Sequence, residues 1–320
     1  MRSGIRNDKI TGMAASLETL QDLGQETAKE RIVRGLLGWA ARLSLPMNHR
    51  AGRLLGYLML KTPNKQRRNA LINIRECLPE LSEEEALRFR ARSLAEYGKT
   101  YFEIAYLWLR PADEVLTLIK GISGAELVAR RDGRGVIVLS PHLGAWELAG
   151  LYLSSLGPTT TFYKPQRILD PLIQGARARL GAVLAPTTPQ GIRKLVHALR
   201  RGEYVGILPD QEPKGKTGAV FAPFFGVPAY TMLLVSRLAR ATNACIVFMF
   251  AERLPRGQGY HIHCIEAPEE TASEDELEAA SALNLGVERC VRTCPEQYVW
   301  PYKRFRSRPP GMPGLYRGPL

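Results

Sequence analysis

The chain is 320 residues long with 45% hydrophobic and 23% charged residues, a balance that excludes wholesale disorder and leaves room for a sizeable core. Lys and Arg total 44 against 31 Asp and Glu, and the net charge of +13 favours an acidic partner: nucleic acid, anionic lipid headgroups or an acidic protein. The five cysteines (Cys77, Cys245, Cys264, Cys290 and Cys294) form no even, closely spaced framework, which points to a reduced compartment. Cys290 and Cys294 are one helical turn apart but lack the CxxC partner of a zinc site.

Residues 1–30 hold no run resembling a secretory signal, and read as an N-terminal extension. Ile32 to Leu60 is rich in Leu, Trp and Tyr but is interrupted by Arg34, Arg42, His49, Arg50 and Arg53, too many charges for a spanning helix. Pro46 divides it into two predicted helices, apolar on one side and basic on the other. They suit either the headgroup layer of a membrane or a buried helical pair. Helix continues from Asn64 to Arg110, with Ser82 and Glu85 spaced as a capping box. The stripe Leu87, Leu94, Tyr97, Tyr101, Phe102 and Ile104 reads as core, with no chemistry assigned.

Beyond Pro111 the pattern changes. Short apolar strands are predicted over Gly135–Ser140, Thr159–Tyr163, Tyr204–Leu208, Ala244–Phe250 and Tyr260–Ile265. Helices are predicted over Leu143–Leu156, up to Leu180, over Ile192–Arg201 and Met232–Ala241, and finally over Leu277–Cys294. This alternation marks an α/β sheet with helices on its faces. His261 and His263 alternate on the last strand and read as surface residues of one sheet face.

The chemistry-bearing residues gather after the first of these strands, in Ser140-Pro141-His142-Leu143-Gly144-Ala145-Trp146-Glu147. Ligands of open α/β sheets bind beyond the carboxyl ends of strands. Residues five apart in one helix are rotated by about 140°, so His142 meets Glu147 only from a turn that precedes the helix and folds back. Gly144 leaves room for that turn and for substrate. A carboxylate on one ring nitrogen would fix the tautomer and leave the other nitrogen as a base, which deprotonating an alcohol requires. On these residues alone, a satisfied structural histidine competes with a catalytic one.

The wider sequence adds ordered blocks. Asn73-Ile74-Arg75-Glu76-Cys77-Leu78-Pro79-Glu80 is followed by His142-Leu143-Gly144-Ala145-Trp146-Glu147, then Asp210-Gln211, Pro223-Phe224-Phe225-Gly226, Pro295-Glu296-Gln297-Tyr298-Val299-Trp300 and Arg304-Phe305-Arg306-Ser307-Arg308-Pro309. From about Arg34 to Pro309 the chain resembles the lipid A biosynthesis lauroyl/myristoyl acyltransferase family, within the glycerolipid acyltransferase superfamily. Tyr163-Lys164-Pro165 departs from the family's usual Tyr-Arg-Pro; a lysine is a point charge for phosphate where arginine offers a fork.

The resemblance implies a mixed sheet flanked by helices. It suggests a helical, membrane-associating region over 31–115, an α/β acyltransferase domain over 116–309 and an irregular tail over 310–320. It implies acyl transfer from acyl carrier protein to a hydroxyl of a lipid A precursor, without a cofactor or metal. His142 would be the general base and Glu147 its orienting partner. Gly144, Trp146, Lys164, Arg177, Asp210 and Gln211 would contact substrate, although Asp210 is equally readable as a structural hydrogen-bond acceptor and Arg179 as part of a solvated helix face. A thioester is already activated, so no Ser or Cys nucleophile is required; backbone N–H groups at the start of the 143–156 helix are candidate oxyanion donors. The implied partners are acyl carrier protein, an anionic lipid acceptor and inner-membrane lipids, met at the cytoplasmic face by a peripheral chain or one with a single N-terminal span. Other readings are a different lipid acceptor (lysophospholipid, aminolipid or glycolipid), a membrane scaffold, or a basic nucleic-acid-binding protein. The chain has no zinc-finger spacing, RRM signature or basic zipper to support the last of these.

Overall fold

Strand-forming and helix-forming segments alternate into a seven-stranded mixed sheet in a computed structural model describing residues 28–129, 133–165, 170–213, 215 and 218–316. The strands are β1 (Ile119–Ser123), β2 (Val136–Leu139), β3 (Thr159–Tyr163), β4 (Val183–Pro186), β5 (Tyr204–Ile207), β8 (Cys245–Arg253) and β9 (Tyr260–Glu266), in the order β1-β9-β8-β2-β5-β3-β4. β2 is central and parallel to both neighbours, and every residue of Val136–Leu139 is buried, as expected of a strand covered on both faces. β9 runs antiparallel to β8 and parallel to β1.

The strands' alternation divides the core. Ile137 and Leu139 join one cluster with α9 (Pro189–Arg200), α10 (Leu234–Thr242) and α11 (Glu276–Thr293). Val136 and Val138 join the other, under α7 (Trp146–Leu156). Two further strands, β6 (Ala219–Phe224) and β7 (Val227–Met232), form a separate antiparallel hairpin, so helix begins at Leu234 and not at Met232 as the sequence suggests. Phe225 and Gly226 both have positive φ, 50° and 75°, the combination a tight two-residue hairpin turn needs. Glu288 of α11 accepts the Phe225 N–H at 2.6 Å.

The N-terminal part contributes α1 (Ala28–Arg42), α2 (Leu45–Lys61), α3 (Lys65–Cys77) and α4 (Glu83–Leu109), joined to β1 by the short α5 (Ala112–Leu116), and α6 (Ala125–Ala129) lies between β1 and β2 in the chain. Pro46 sits in the first turn of α2, where its missing N–H costs nothing. The Ser82–Glu85 capping box forms, with the Ser82 N–H donating to Glu85 at 2.9 Å. The buried face of α4 is not quite the stripe expected: Phe89, Leu94, Tyr106 and Trp108 are buried while Tyr101 is exposed. Residues 1–27, most of the expected N-terminal extension, and 317–320 lie outside the described residues. α8 (Asp170–Ala178) packs beside α7 and completes the wall over the carboxyl edge of the sheet. Among the described residues no helix is long and apolar enough to cross a membrane.

Candidate active site

After β2 the chain makes a tight turn through His142 and Gly144 before α7 begins. Gly144 has φ +58°, and a Cβ there would lie 2.0 Å from the Ala251 carbonyl oxygen, so the close approach to β8 admits only glycine. The turn is bonded to its neighbours on every side. The Gly144 N–H donates to the Gln297 carbonyl at 3.2 Å, Ala145 N–H to Ala251 at 2.8 Å, and Val299 N–H to the His142 carbonyl at 3.1 Å. Arg253 donates to the Gly144 carbonyl at 2.8 Å. The Leu143 N–H is also engaged, on the Pro141 carbonyl at 2.7 Å. Of the candidate oxyanion donors at the start of the expected 143–156 helix, the N–H groups of Leu143, Gly144 and Ala145 are therefore spent on the protein itself.

His142 is held by Asp210, which follows β5. Its Nδ1 lies 2.8 Å from Asp210 Oδ1, and its backbone N–H donates to Oδ2 at 3.0 Å. Burial pushes the Asp210 carboxyl up, but the charge of His142 and the two hydrogen bonds outweigh it and hold the group below its usual range. An ionised carboxylate can only accept, so Nδ1 carries a proton, and in the neutral ring Nε2 presents a lone pair. The side-chain amide of Gln211 meets that lone pair at 3.1 Å, and the Trp146 ring stands 5.1 Å from the imidazole.

Glu147, expected to orient His142, is hydrogen-bonded to other residues in this structure. Its carboxylate is forked onto Arg177 of α8, at 3.1 Å from Nε and at a second contact with Nη2, and it also accepts from Trp108 Nε1 at 3.0 Å. Burial raises the Glu147 carboxyl, yet Arg177 and Trp108 lower it more, and it stays ionised below its usual range. The physical reason for the difference is direction: from the first turn of α7 the Glu147 side chain points toward α8 and the end of α4, while Asp210 comes up beneath the imidazole. The structure thus brings His142, Trp146, Asp210 and Gln211 together, sets the Glu147–Arg177 pair beside them, and leaves Lys164 exposed just beyond β3.

A cleft runs from this pair down between α7 and the sheet, and its walls are mostly apolar, with Val138, Leu151, Leu153, Ile207 and Met249 among them. Across the sheet Val138, Gly206 and Thr161 form one row. Gly206 leaves the floor of that row open, since a Cβ there would make only ordinary contact with Thr161 and Leu153.

Several residues of this site carry no signal of their role in the sequence. Trp108 sits in what reads as core helix, yet its indole N–H fixes Glu147. Arg179, which reads as solvated, turns inward to donate to the Leu107 carbonyl at 2.6 Å and to Arg110 and Ala176. It thereby caps the carboxyl end of α4, where a cation complements the helix dipole, and burial brings its pKa down to about 10. Arg253 is fully buried against Glu103 and Thr100 under the turn that carries His142. No local signal marks it, because its partners lie more than a hundred residues away. His261 and His263 do share a sheet face, with His261 on Ser123 and His263 on Glu252. Burial raises the thiols of Cys77, Cys264, Cys290 and Cys294, which keeps these four protonated and poor nucleophiles.

Comparison with known proteins settles the family. The family described as bacterial lipid A biosynthesis acyltransferase matches residues 30–307. The chain belongs to the bacterial lipid A biosynthesis acyltransferase family. It is 29% identical over 288 residues to the lipid A biosynthesis lauroyltransferase of Escherichia coli strain K12, covering 88% of this chain and 92% of that one. It is 28% identical over 287 residues to the palmitoleoyltransferase of the same organism, with the same coverage. It is 27% identical over 271 residues to the myristoyltransferase, covering 83% and 82%.

Residues of the other sequence blocks make contacts within the fold. Asn73 donates to the carbonyls of Trp300 and Tyr302 at 2.6 and 2.7 Å, tying the first block to the end of the Pro295–Trp300 block and the residues just after it. Gln297 pairs with the Arg253 backbone through both ends of its amide, at 2.9 and 3.1 Å. Arg304 holds the hairpin by the Tyr230 carbonyl at 2.8 Å and Thr231 at 2.9 Å.

Proposed function

We propose that this acyltransferase moves a fatty acyl chain from an acyl carrier protein thioester to a hydroxyl of a lipid A precursor, with His142 as general base and Asp210 as its orienting carboxylate. The observation that carries the reading is His142 itself, with Nδ1 fixed by a buried carboxylate next to an apolar cleft. In the resting site Gln211 donates to Nε2; an acceptor hydroxyl would replace that amide as the donor. Nε2 then takes the hydroxyl proton while the oxygen attacks the thioester carbonyl carbon. As the tetrahedral intermediate collapses the C–S bond breaks, and the imidazolium returns the proton to the departing thiolate. Proton, acyl group and thiol all balance without an enzyme-bound intermediate.

In this reading the Glu147–Arg177 pair fixes the mouth of the cleft, Trp146 and Gly144 shape the approach, and Lys164 supplies positive charge to a phosphate-bearing substrate. The cleft receives the alkyl chain. Region 31–115 supplies the membrane-facing surface and 116–309 the catalytic domain. Leu36, Trp39, Leu54, Tyr57 and Leu58 are more than half exposed, and Arg42, Arg50 and Arg53 accompany them on α1 and α2. Large apolar residues beside arginines suit a chain lying in an anionic headgroup layer, here at the cytoplasmic face of the inner membrane. The +13 net charge likewise suits an acidic carrier protein.

Purified protein incubated with acyl carrier protein bearing C10, C12, C14 or C16 chains and a lipid A precursor, with products read by mass spectrometry, tests the reading. His142→Ala should abolish acylation and leave vesicle binding intact. Acylation that survives His142→Ala would sink it, and a wild-type enzyme that acylates only lysophospholipid, aminolipid or glycolipid would redirect the acceptor.

A further inference from the structure

Ser140 stands at the end of β2, two residues before the base, and its side chain takes no part in the chemistry above. Strand alternation puts it on the face of Val136 and Val138, under α7. There it lines the cleft together with Val138, Leu208, Glu147 and Arg177. Its backbone N–H is committed to the Ile207 carbonyl at 2.9 Å, but its Oγ, at the inner wall of the cleft, has no hydrogen-bond partner among the described residues. Enclosing a hydroxyl without a partner is costly, and an alanine would remove the cost at nearly the same volume. The neighbouring polar groups differ: Glu147, Arg177 and Trp108 satisfy one another.

Position says what the missing partner is. The row beneath Ser140 is Val138, Gly206 and Thr161, with Leu151 and Leu153 of α7 lining the cleft beside it, and this mostly apolar lining suits an alkyl chain. The row above leads to the turn that carries His142. Ser140 lines the cleft and precedes His142 by two residues, so a thioester whose chain lay in the cleft and whose carbonyl faced His142 would pass Ser140. A carbonyl oxygen only accepts, and Ser140 has a hydroxyl proton to give. Other donors near this turn are engaged: the N–H groups of Leu143, Gly144 and Ala145 bond within the protein, and Arg177 is forked onto Glu147.

We infer that the Ser140 hydroxyl donates to the acyl carbonyl oxygen and stabilises the charge that gathers there during transfer, an assignment that rests on the acyl-transfer reading above. When the acceptor oxygen attacks, the C=O electron pair moves onto oxygen and the hydrogen bond from Ser140 to it shortens. When the C–S bond breaks, the carbonyl re-forms and Ser140 keeps its proton throughout. A donor aimed at a developing oxyanion acts on the transition state more than on the bound substrate.

The test uses the full-length protein with lauroyl-acyl carrier protein and a lipid A precursor. Ser140→Ala should lower kcat by about 10- to 100-fold with KM for the donor changed less than about twofold, while Tm stays level or rises because an unpaired hydroxyl has gone. Ser140→Thr, which restores a hydroxyl, should recover most of the lost rate. Wild-type kcat in Ser140→Ala overturns the inference. So does a kcat loss that comes with a falling Tm and no recovery in Ser140→Thr, since that pattern belongs to packing. Wild-type protein that transfers no acyl group overturns the acyl-transfer reading as well, whereas active wild type with an unaffected Ser140→Ala overturns this assignment alone.

Discussion

Asp210→Asn separates the orienting carboxylate from mere packing. Asp210 accepts two bonds from His142, one from the backbone N–H at 3.0 Å and one from Nδ1 at 2.8 Å. Asparagine keeps one acceptor oxygen and replaces the other with an NH2 group. The backbone N–H can only donate, so it claims the oxygen and the NH2 faces Nδ1. Nδ1 must then accept, the ring proton moves to Nε2, and the base is lost to the wrong tautomer. In Ser-His-Asp proteases the equivalent Asp→Asn change lowers kcat by about 10⁴. We expect on the order of 10³- to 10⁴-fold here, or ~4–5.5 kcal/mol on the barrier. The folded state loses one charge-assisted bond, ~1.5–3 kcal/mol. Transfer of labelled laurate from the carrier protein, alongside thermal melting, reads both. A folded Asp210→Asn enzyme within tenfold of wild-type kcat would refute the tautomer argument.

Breaking the buried Glu147–Arg177 pair from either side should destabilise the protein by ~3–5 kcal/mol, and the double substitution Glu147→Ala/Arg177→Ala should cost less than the sum; additive losses in a denaturant double-mutant cycle would deny the coupling. Gly144→Ala must relieve a 2.0 Å contact at φ +58°, so a drop in stability of ~2 kcal/mol or more is expected, and an unchanged Tm would count against the described turn. Burial raises the Glu103 carboxyl, but Arg253 and His49 bring it to about 2, well below its ordinary value of 4.5. A depressed carboxylate stabilises the fold above the unfolded pKa and loses that contribution as pH falls toward 2. Melts across this acid range should therefore steepen for wild type and flatten for Glu103→Gln, and parallel curves would contradict the ion pair. Leu54→Asp with Tyr57→Asp should weaken binding to anionic vesicles by about tenfold or more; undiminished sedimentation with vesicles would move the membrane face elsewhere.

What can be read in the sequence follows the range of the forces involved. The buried strands β2, β5 and β8 declare themselves because runs such as Val136–Leu139 are apolar throughout, and the capping box at Ser82 is purely local. Short or polar strands do not: Ile119–Ser123 and Val183–Pro186 are partly exposed sheet margins, given strand form by their neighbours rather than by composition. The same division runs through the site. His142 and its turn are legible from Pro141, Gly144 and the strand end. Its partner is not, because spacing along one chain favours Glu147 while the sheet delivers Asp210 from β5. Arg253 and Trp108 are equally hidden, since nothing near them in sequence records what they touch.

The His-x4-Glu spacing then has a geometric cause that does not require the two side chains to meet. One turn of chain separates the end of β2 from α7, and the cleft lies under the start of that helix. His142, on the turn, faces the carboxyl edge of β5 and takes its orientation from Asp210. Glu147, in the first turn of α7, faces α8 and locks Arg177 over the cleft mouth. Shortening the spacing by one residue would rotate Glu147 by about 100° around α7, away from Arg177. Lengthening it would loosen the turn that Gly144 presses against Ala251. His142 and the cleft are thus set relative to one another by a single stretch of backbone. The buried Arg253 beneath it, bonded at once to Gly144 and Glu103, ties that stretch to α4.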